Sequence, residues 1–423
     1  MPKNFALTRA GFVKKTAIAG GLVMAAPTFI PRRGAAADQI KIGDVDPQTG
    51  VFAMNGISQI RGAQMATEHV NARGGVMGRE LALVVQDSAS DPGVGVQKAR
   101  QLVNQEGCVA LIGTVSSATS LSVSGAANAM GVVFIDSGGH ADQVTGSTCH
   151  YNTFRTCHST WMETHATGYT FAEKFGKRWF MITPDYAFGH ALSDGYRAIA
   201  KTIGATIVKE TLTPLGTSEF SSYLTQVLPA KPDMLLVLVQ GTDFVNCLKQ
   251  ATAFGITQKV AVGGPQVELE SVWALPEEAR VGYWGTEWYF KDEIVLGKGN
   301  TEGLQFATAY EKKYGSPATM RSAFGYISLT RLAAAINEAK STETVKIARQ
   351  LEGQRFKSIF EGDAYYRPVD HQLMYPMWVA KIRPNGTPSN KLDVFDIVDR
   401  QPADKIEWTV AEKKMVCNLG YPG

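Results

Sequence analysis

The chain has 423 residues, 44% of them hydrophobic and 19% charged, an ordinary soluble composition with length enough for two domains. Its formal charge of +3 comes from the first 37 residues, which hold six Lys or Arg and no acid; the other 386 carry 36 basic residues against 39 acidic ones, about −3. That balance argues against a polyanion partner, so no nucleic acid is expected, and no later apolar run is long enough to span a bilayer.

The leader comes first in the chain. Lys3, Arg9, Lys14 and Lys15 precede the fifteen-residue apolar run TAIAGGLVMAAPTFI, and PRRGAAAD follows with a small-residue cleavage site. This is the pattern of an export signal, with cleavage expected after Ala37. TRAGFVKK also resembles a twin-arginine signal with Ala10 in place of the second arginine, and the export route stays open between the two.

Apolar runs of strand length then recur: IKIGDV, LALVVQD, VALIG, VVFIDS, followed by RWFMITP, MLLVLV, VAVGG and GYWGTEW. They are near-continuous rather than alternating, as strands buried on both faces are. Between them lie helical patterns. GISQIRGAQMATEHVNAR spaces Ile57, Ile60, Ala63, Ala66 and Val70 three or four apart and stops at Gly74-Gly75. DPGVGVQKARQLVNQE opens with an Asp cap followed by Pro. Strand alternating with helix predicts βαβ units and parallel sheets. The series runs twice, restarting near Arg178, so two similar α/β lobes are predicted, without a low-complexity linker between them. TEGLQFATAYEKKYG and SAFGYISLTRLAAAINEAK read as helices that return to the first lobe; the tail after about Asn390 gives few signals.

The loop DPQTGVFAMNG, Asp46 to Gly56, sits between a strand and a helix, where nucleotide-binding proteins hold phosphate. Its glycines, Gly50 and Gly56, are six apart with bulky residues between them, and neither G-x-G-x-x-G nor a Walker loop is present, so the phosphate reading fails on spacing. Other strand ends are richer in small polar groups. LIGTVSSATS places Thr114, Ser116 and Ser117 beyond one strand, and FIDSGGH places Ser137, Gly138, Gly139 and His140 beyond the next. In open α/β sheets ligands bind outside the carboxyl ends of the strands, and hydroxyls with free N–H groups at a helix start suit a carboxylate. Helix capping is the alternative role for these serines.

Five cysteines show no C-x-x-C spacing. Cys149 and Cys157 flank HYNTFRT and are candidates to close a small loop in an oxidising compartment; sequence does not fix the connectivity, and buried free thiols are the other reading for Cys108 and Cys247. The histidines show no H-E-x-x-H or paired spacing, with His150 and His158 read as surface or loop residues. Neither a nucleophile elbow nor a carboxylate pair stands out, so neither an enzyme nor a metal site is expected.

The ordered series IKIG…TG…G…GAQMATEHVNARGGVMGREL…QDSASDP…ALIGTVSSATS…GVVFIDSGGHADQVTG resembles the branched-chain amino-acid type of periplasmic binding protein, the solute receptors of ABC importers related to the leucine/isoleucine/valine-binding protein. The likeness continues through FRT, DYAFGHA, PDMLLVLVQGTD, LKQATAFGI and GGPQ, to about residue 385. It implies a type I periplasmic binding protein: two Rossmann-like lobes with parallel sheets joined by three crossovers, closing on a ligand like a hinged trap. It further implies lobe 1 over residues 38–157 plus 289–360, lobe 2 over 158–288 plus 361–390, and an unassigned tail over 391–423. A periplasmic location, ABC importer permease subunits as partners, a monomeric state and no cofactor are expected with it.

The same resemblance places the site. The opening loop, with Asn55, would line one wall of the cleft; Ser116, Ser117, Gly138 and His140 would receive the ligand's carboxylate, His140 standing where a Thr or Ser is usual. From the second lobe come an aromatic, Tyr186 or Phe188, a contact near Gln240, and the position that carries an ammonium in amino-acid receptors. Gln266 occupies that last position in place of an acid, which argues against a simple α-amino acid, because a buried ammonium requires a charge partner. Glu268, two residues on, restores the amino-acid reading if the loop is shifted. Trp288, where the chain crosses back between lobes, would stack on a ring or else pack at the hinge. The ligand expected from these residues is a small aromatic or other organic acid; an amino acid or an amide is the alternative, as is a sensing module for a signalling partner.

Overall fold

The computed structural model describes residues 39–291, 295 and 299–422; the expected export signal with its cleavage after Ala37 lies outside them. The first five strands are β1 (Ile40–Asp44), β2 (Leu81–Val85), β3 (Ala110–Gly113), β4 (Val133–Asp136) and β5 (Thr153–Arg155). They form one parallel sheet in the order β2-β1-β3-β4-β5. Helices α1 (Ala53–Ala72), α2 (Pro92–Asn104) and α3 (Ser117–Met130) connect them. Asp91 caps α2 by accepting from Val94 N, with Pro92 at the first helical position, and α1 ends ahead of Gly74 and Gly75, both at positive φ. Ala63 and Ala66 of the predicted apolar stripe are fully buried, whereas Ile57 is exposed.

The chain then crosses to a second body through residues 156–159. Helix α4 (Thr160–Phe175) precedes β6 (Arg178–Pro184), α5 (Ala187–Ile203), β7 (Thr206–Thr213), β8 (Met234–Val237), α6 (Gly241–Ala253), β9 (Ala261–Gly264) and β10 (Tyr283–Thr286). It returns through residues 287–291 to α7 (Thr301–Tyr314), α8 (Met320–Ala339) and α9 (Thr344–Leu351), with α8 packed along α1. A small antiparallel sheet of β11 (Phe356–Lys357), β12 (Asp363–Tyr366) and β13 (Leu373–Met374) leads to the third crossing. Finally β14 (Met377–Ile382) and β15 (Phe395–Gln401) complete a seven-stranded sheet in the order β15-β14-β10-β9-β8-β6-β7. Its β7-β6-β8-β9-β10 portion is parallel and repeats the strand order of the first sheet; β14 and β15 add to it antiparallel. Strands β3, β4 and β8 are buried at every residue, as their unbroken apolar runs require.

The three crossings meet at one carboxylate. Glu287, fully buried on the second crossing, accepts with Oε2 from the backbone N–H of His158 on the first (2.7 Å) and from the hydroxyl of Tyr375 on the third (2.6 Å). His158, read from sequence as a surface or loop residue, is instead fully buried here, its Nε2 donating to the Tyr375 carbonyl (2.9 Å) and its ring stacked on that tyrosine.

The tail is structured. Beyond β15, helix α10 (Val410–Val416) ends at Cys417, which bonds Cys149 across 268 residues of sequence. This replaces the expected Cys149–Cys157 loop. The side chain of Cys157 is buried in the core at the start of the first crossing, and it, Cys108 and Cys247 are free thiols. The pairing could not be read locally because the partner arrives from the other end of the chain. Under oxidising conditions Cys417→Ser is expected to lower stability by about 2–4 kcal/mol in urea unfolding, while Cys157→Ser leaves the Cys149–Cys417 crosslink intact in a non-reducing peptide map.

Candidate functional site

Each parallel sheet reverses its strand order once, beside β1 and β3 in the first and beside β6 and β8 in the second. Crevices for ligands form outside the carboxyl ends of strands at such reversals. The two crevices face one another. Across them the N–H of Thr242, at the start of α6, donates to Val51 O of the opening loop (3.3 Å). Two N–H groups of that loop are already spent, Gln48 N and Thr49 N both donating to Asp87 Oδ1, and Thr49 Oγ1 donates to Oδ2. The loop therefore grips its own lobe rather than a phosphate, and it presents Phe52 to the cleft.

Between the lobes Phe52, Val115, Ser117, His140, Tyr186, Phe188, Gln240, Gln266 and Arg321 enclose a space with room for about one water molecule. The lobes thus stand closed, and a solute enters only when they part. Six of the residues chosen from sequence are brought together here: Ser117, His140, Tyr186, Phe188, Gln240 and Gln266. Ser116 and Asn55 are buried nearby in sequence, at the first turns of α3 and α1, with the Ser116 hydroxyl and the Asn55 amide unpartnered. Gly138 lends its carbonyl to Arg321 Nη1 (3.2 Å); a Cβ there would lie 2.8 Å from the backbone Thr114 O, which favours glycine. Trp288 does not line the space. Its indole donates to Ile359 O (2.9 Å) and its ring meets Phe306 edge-on, which corrects the stacking role and leaves hinge packing.

Sequence reasoning missed Arg321. It lies in the first turn of α8, one residue before the helix as read from sequence, and is only 2% exposed. Its Nη2 pairs with Glu268 Oε1 at 2.6 Å across the cleft, joining α8 on the first lobe to the loop after β9 on the second. The available signal was one charge at the head of a helix whose first ten residues are otherwise uncharged.

The free hydrogen-bonding groups divide by side. On the second lobe Gln240 Nε2 donates to Gln266 O (2.9 Å), and Gln266 Nε2 to Glu268 Oε1 (3.3 Å). Both amides thereby spend a nitrogen, leaving Gln240 Oε1, Gln266 Oε1 and Glu268 Oε2 buried without a donor. These orientations follow from the acceptors faced, a carbonyl and a carboxylate. The first lobe offers Arg321 Nε, the Ser116 hydroxyl and the start of α3. The first lobe thus contributes a guanidinium and hydroxyl donors, and the three unpartnered oxygens named on the second lobe are acceptors.

Behind the cleft, His140 Nδ1 lies 2.6 Å from Glu163 Oε1 of α4 and 3.3 Å from Glu287 Oε1, all three side chains being buried. Burial, then the neighbouring Glu287, pushes Glu163 well above the usual carboxylate range; burial likewise raises Glu287. His140, Glu163 and Glu287 form a set of N and O atoms of the kind divalent cations accept, within 4.8 Å of one another. However, Nδ1 is aligned on the His158 carbonyl (3.1 Å) and so carries the hydrogen rather than a lone pair, and Arg321 adds positive charge beside the group. The set fits internal charge balance better than a metal.

A model of the periplasmic binding protein family matches residues 39–387. The chain belongs to that family. Its relatives include the Leu/Ile/Val-binding protein homolog 7 of Brucella suis, 27% identical over 331 residues, which are 75% of this chain and 81% of that one. A periplasmic binding protein from Burkholderia mallei superposes with a TM-score of 0.82 at 27% identity, covering 91% of this chain and all of the other. The solute-binding protein of an ABC transporter from Rhodopseudomonas palustris, solved with 3,4-dihydroxybenzoic acid, shares the fold at a TM-score of 0.76 and 18% identity, over 86% of this chain and 98% of its own. This binding protein is thus a periplasmic solute receptor, with the type I fold.

The cross-cleft pair gives a direct test. Arg321→Met, which leaves Glu268 buried and unpaired, is expected to cost about 3–5 kcal/mol in urea unfolding; adding Glu268→Gln is expected to restore most of that loss.

Proposed function

We propose that this binding protein captures a small solute with a carboxylate at one end and a hydrogen-bond donor at the other, an aromatic or other organic acid bearing a hydroxyl or amino group, and presents it to the permease of an ABC importer. The observation that carries the reading is the division of free groups across the cleft. A carboxylate satisfies Arg321 and the hydroxyls at the head of α3, while a donor at the far end satisfies Gln240 Oε1, Gln266 Oε1 and Glu268 Oε2. A plain hydrophobic acid would leave those acceptors buried and unpaired. Phe52, Tyr186 and Phe188 supply apolar walls suited to a ring. The Rhodopseudomonas palustris protein holds a ring acid bearing hydroxyls within this fold.

A second reading has its own support. Glu268, with Oε2 free, is an acid that an ammonium would meet, so an α-amino acid satisfies the same division. Gln266, taken alone, argued against an ammonium; with its nitrogen engaged it offers only an oxygen, and that argument loses its force.

Thermal-shift measurements on the mature protein with 4-hydroxybenzoate, benzoate, benzamide and leucine separate these readings. The expected order is 4-hydroxybenzoate above benzoate, with benzamide inactive, and Ser117→Ala should weaken the best ligand about tenfold, or 1.4 kcal/mol, by calorimetry. Stabilisation by leucine alone would overturn the organic-acid reading in favour of the amino acid.

A further inference from the structure

His140 is placed to do more than contact a ligand. It lines the closed cleft at 2% exposure, and its two ring nitrogens are not equivalent. Nδ1 is held by the His158 carbonyl and flanked by Glu163 and Glu287, so its hydrogen stays in place whatever the charge of the ring. Nε2 is buried and has no partner. In the neutral ring Nε2 therefore carries a bare lone pair, which repels a carboxylate; with a proton it becomes a charge-assisted donor.

We propose that His140 couples carboxylate capture to proton uptake: one proton from solvent settles on Nε2 as the carboxylate binds, and the resulting imidazolium lies between the ligand and Glu163. This rests on the carboxylate reading above. The charge bookkeeping is simple. The ligand brings −1 and the solvent +1, no covalent bond changes, and the closed cleft gains no net charge on binding, which matters where water is excluded.

The groups around the ring set the direction. Glu163 from α4 and Glu287 from the second crossing favour the imidazolium when ionised, while Arg321 from α8 and Arg155 from β5 oppose it; His158 from the first crossing, pushed by burial down to about 3, faces it as a neutral ring. Burial and the two guanidinium groups hold His140 well below its ordinary value, so the ring is neutral near pH 7. A carboxylate against Nε2 raises it. Between the two values the bound state holds more protons than the free one, and affinity falls as pH rises.

Calorimetry of benzoate binding in phosphate and in Tris, at about pH 7 and about pH 8.5, counts the protons taken up, because the two buffers release heat differently on ionising. The wild-type protein is expected to take up close to one proton per benzoate, with affinity dropping by up to about tenfold per pH unit. His140→Asn should show no uptake and a flat pH profile. Binding without uptake at either pH, or uptake that survives His140→Asn, overturns the proposal. If neither benzoate nor 4-hydroxybenzoate binds even near pH 6, the carboxylate reading itself fails. Nitrogen-15 NMR of ligand-free protein labelled at histidine then decides the role of His140. A neutral ring with its hydrogen on Nδ1 supports the assignment, and one with the hydrogen on Nε2 overturns it.

Discussion

A single buried carboxylate holds the architecture together at its narrowest place. The chain passes between the lobes three times, and Glu287 fastens the second passage to both others through hydrogen bonds to one oxygen. Its other oxygen faces His140 at the edge of the cleft. One side chain thus has a structural half and a functional half. Any change of charge at His140 is felt by the group that joins the crossings, and any movement of the crossings displaces a neighbour of His140. Site and hinge are not separable parts here.

The cleft itself is organised by what its amides have already given away. A glutamine in a binding site is neutral and two-sided until its partners are known. In this protein a chain of bonds, from Gln240 to the Gln266 carbonyl and from the Gln266 amide to Glu268, consumes both nitrogens on one wall. The remaining carboxylate is drawn across the gap by Arg321. The two lobes thus meet across an internal ion pair, and a solute has to compete with Glu268 for the guanidinium or provide Glu268 with a new partner. Because a buried pair recovers little beyond its desolvation cost, such an exchange need not be expensive.

Much of the fold was legible in the sequence because the physics that writes it is local. β3, β4 and β8 are buried on both faces and read as unbroken apolar runs. β7, at the edge of its sheet, is exposed or half-buried along all but its last residue, carries Lys209 and Glu210 in TIVKETLT and gave no such run, and β5 is only three residues long. The residues that follow strand ends were found for a topological reason, since strand carboxyl ends gather at the crevice whatever the side chains. What escaped came from far away in the chain. Arg321 reaches Gly138 across 183 residues and Glu268 across 53, and Cys417 reaches Cys149 across 268, separations that no local pattern encodes. Trp288 stayed open between stacking and hinge packing, and His158 was misjudged, because aromatic and histidine residues at a crossing look the same in sequence whether they face solvent, a ligand or the core.

The C-terminal segment has a mechanical meaning. It leaves the second lobe at β15 and passes the crossings, where Glu407 accepts from Ser159 and Arg367 donates to Trp408 O. It ends on the first lobe at Cys149, with Tyr421 against Tyr151 and bonded to Glu352. It is a fourth tether, and the only one with a covalent clasp among the described residues. Bodies joined by several short straps along one edge swing freely about that edge and resist shearing or twisting across it. A strap on the hinge side therefore leaves the opening stroke available while narrowing its course, so that the two walls of the cleft return to the same register each time they shut.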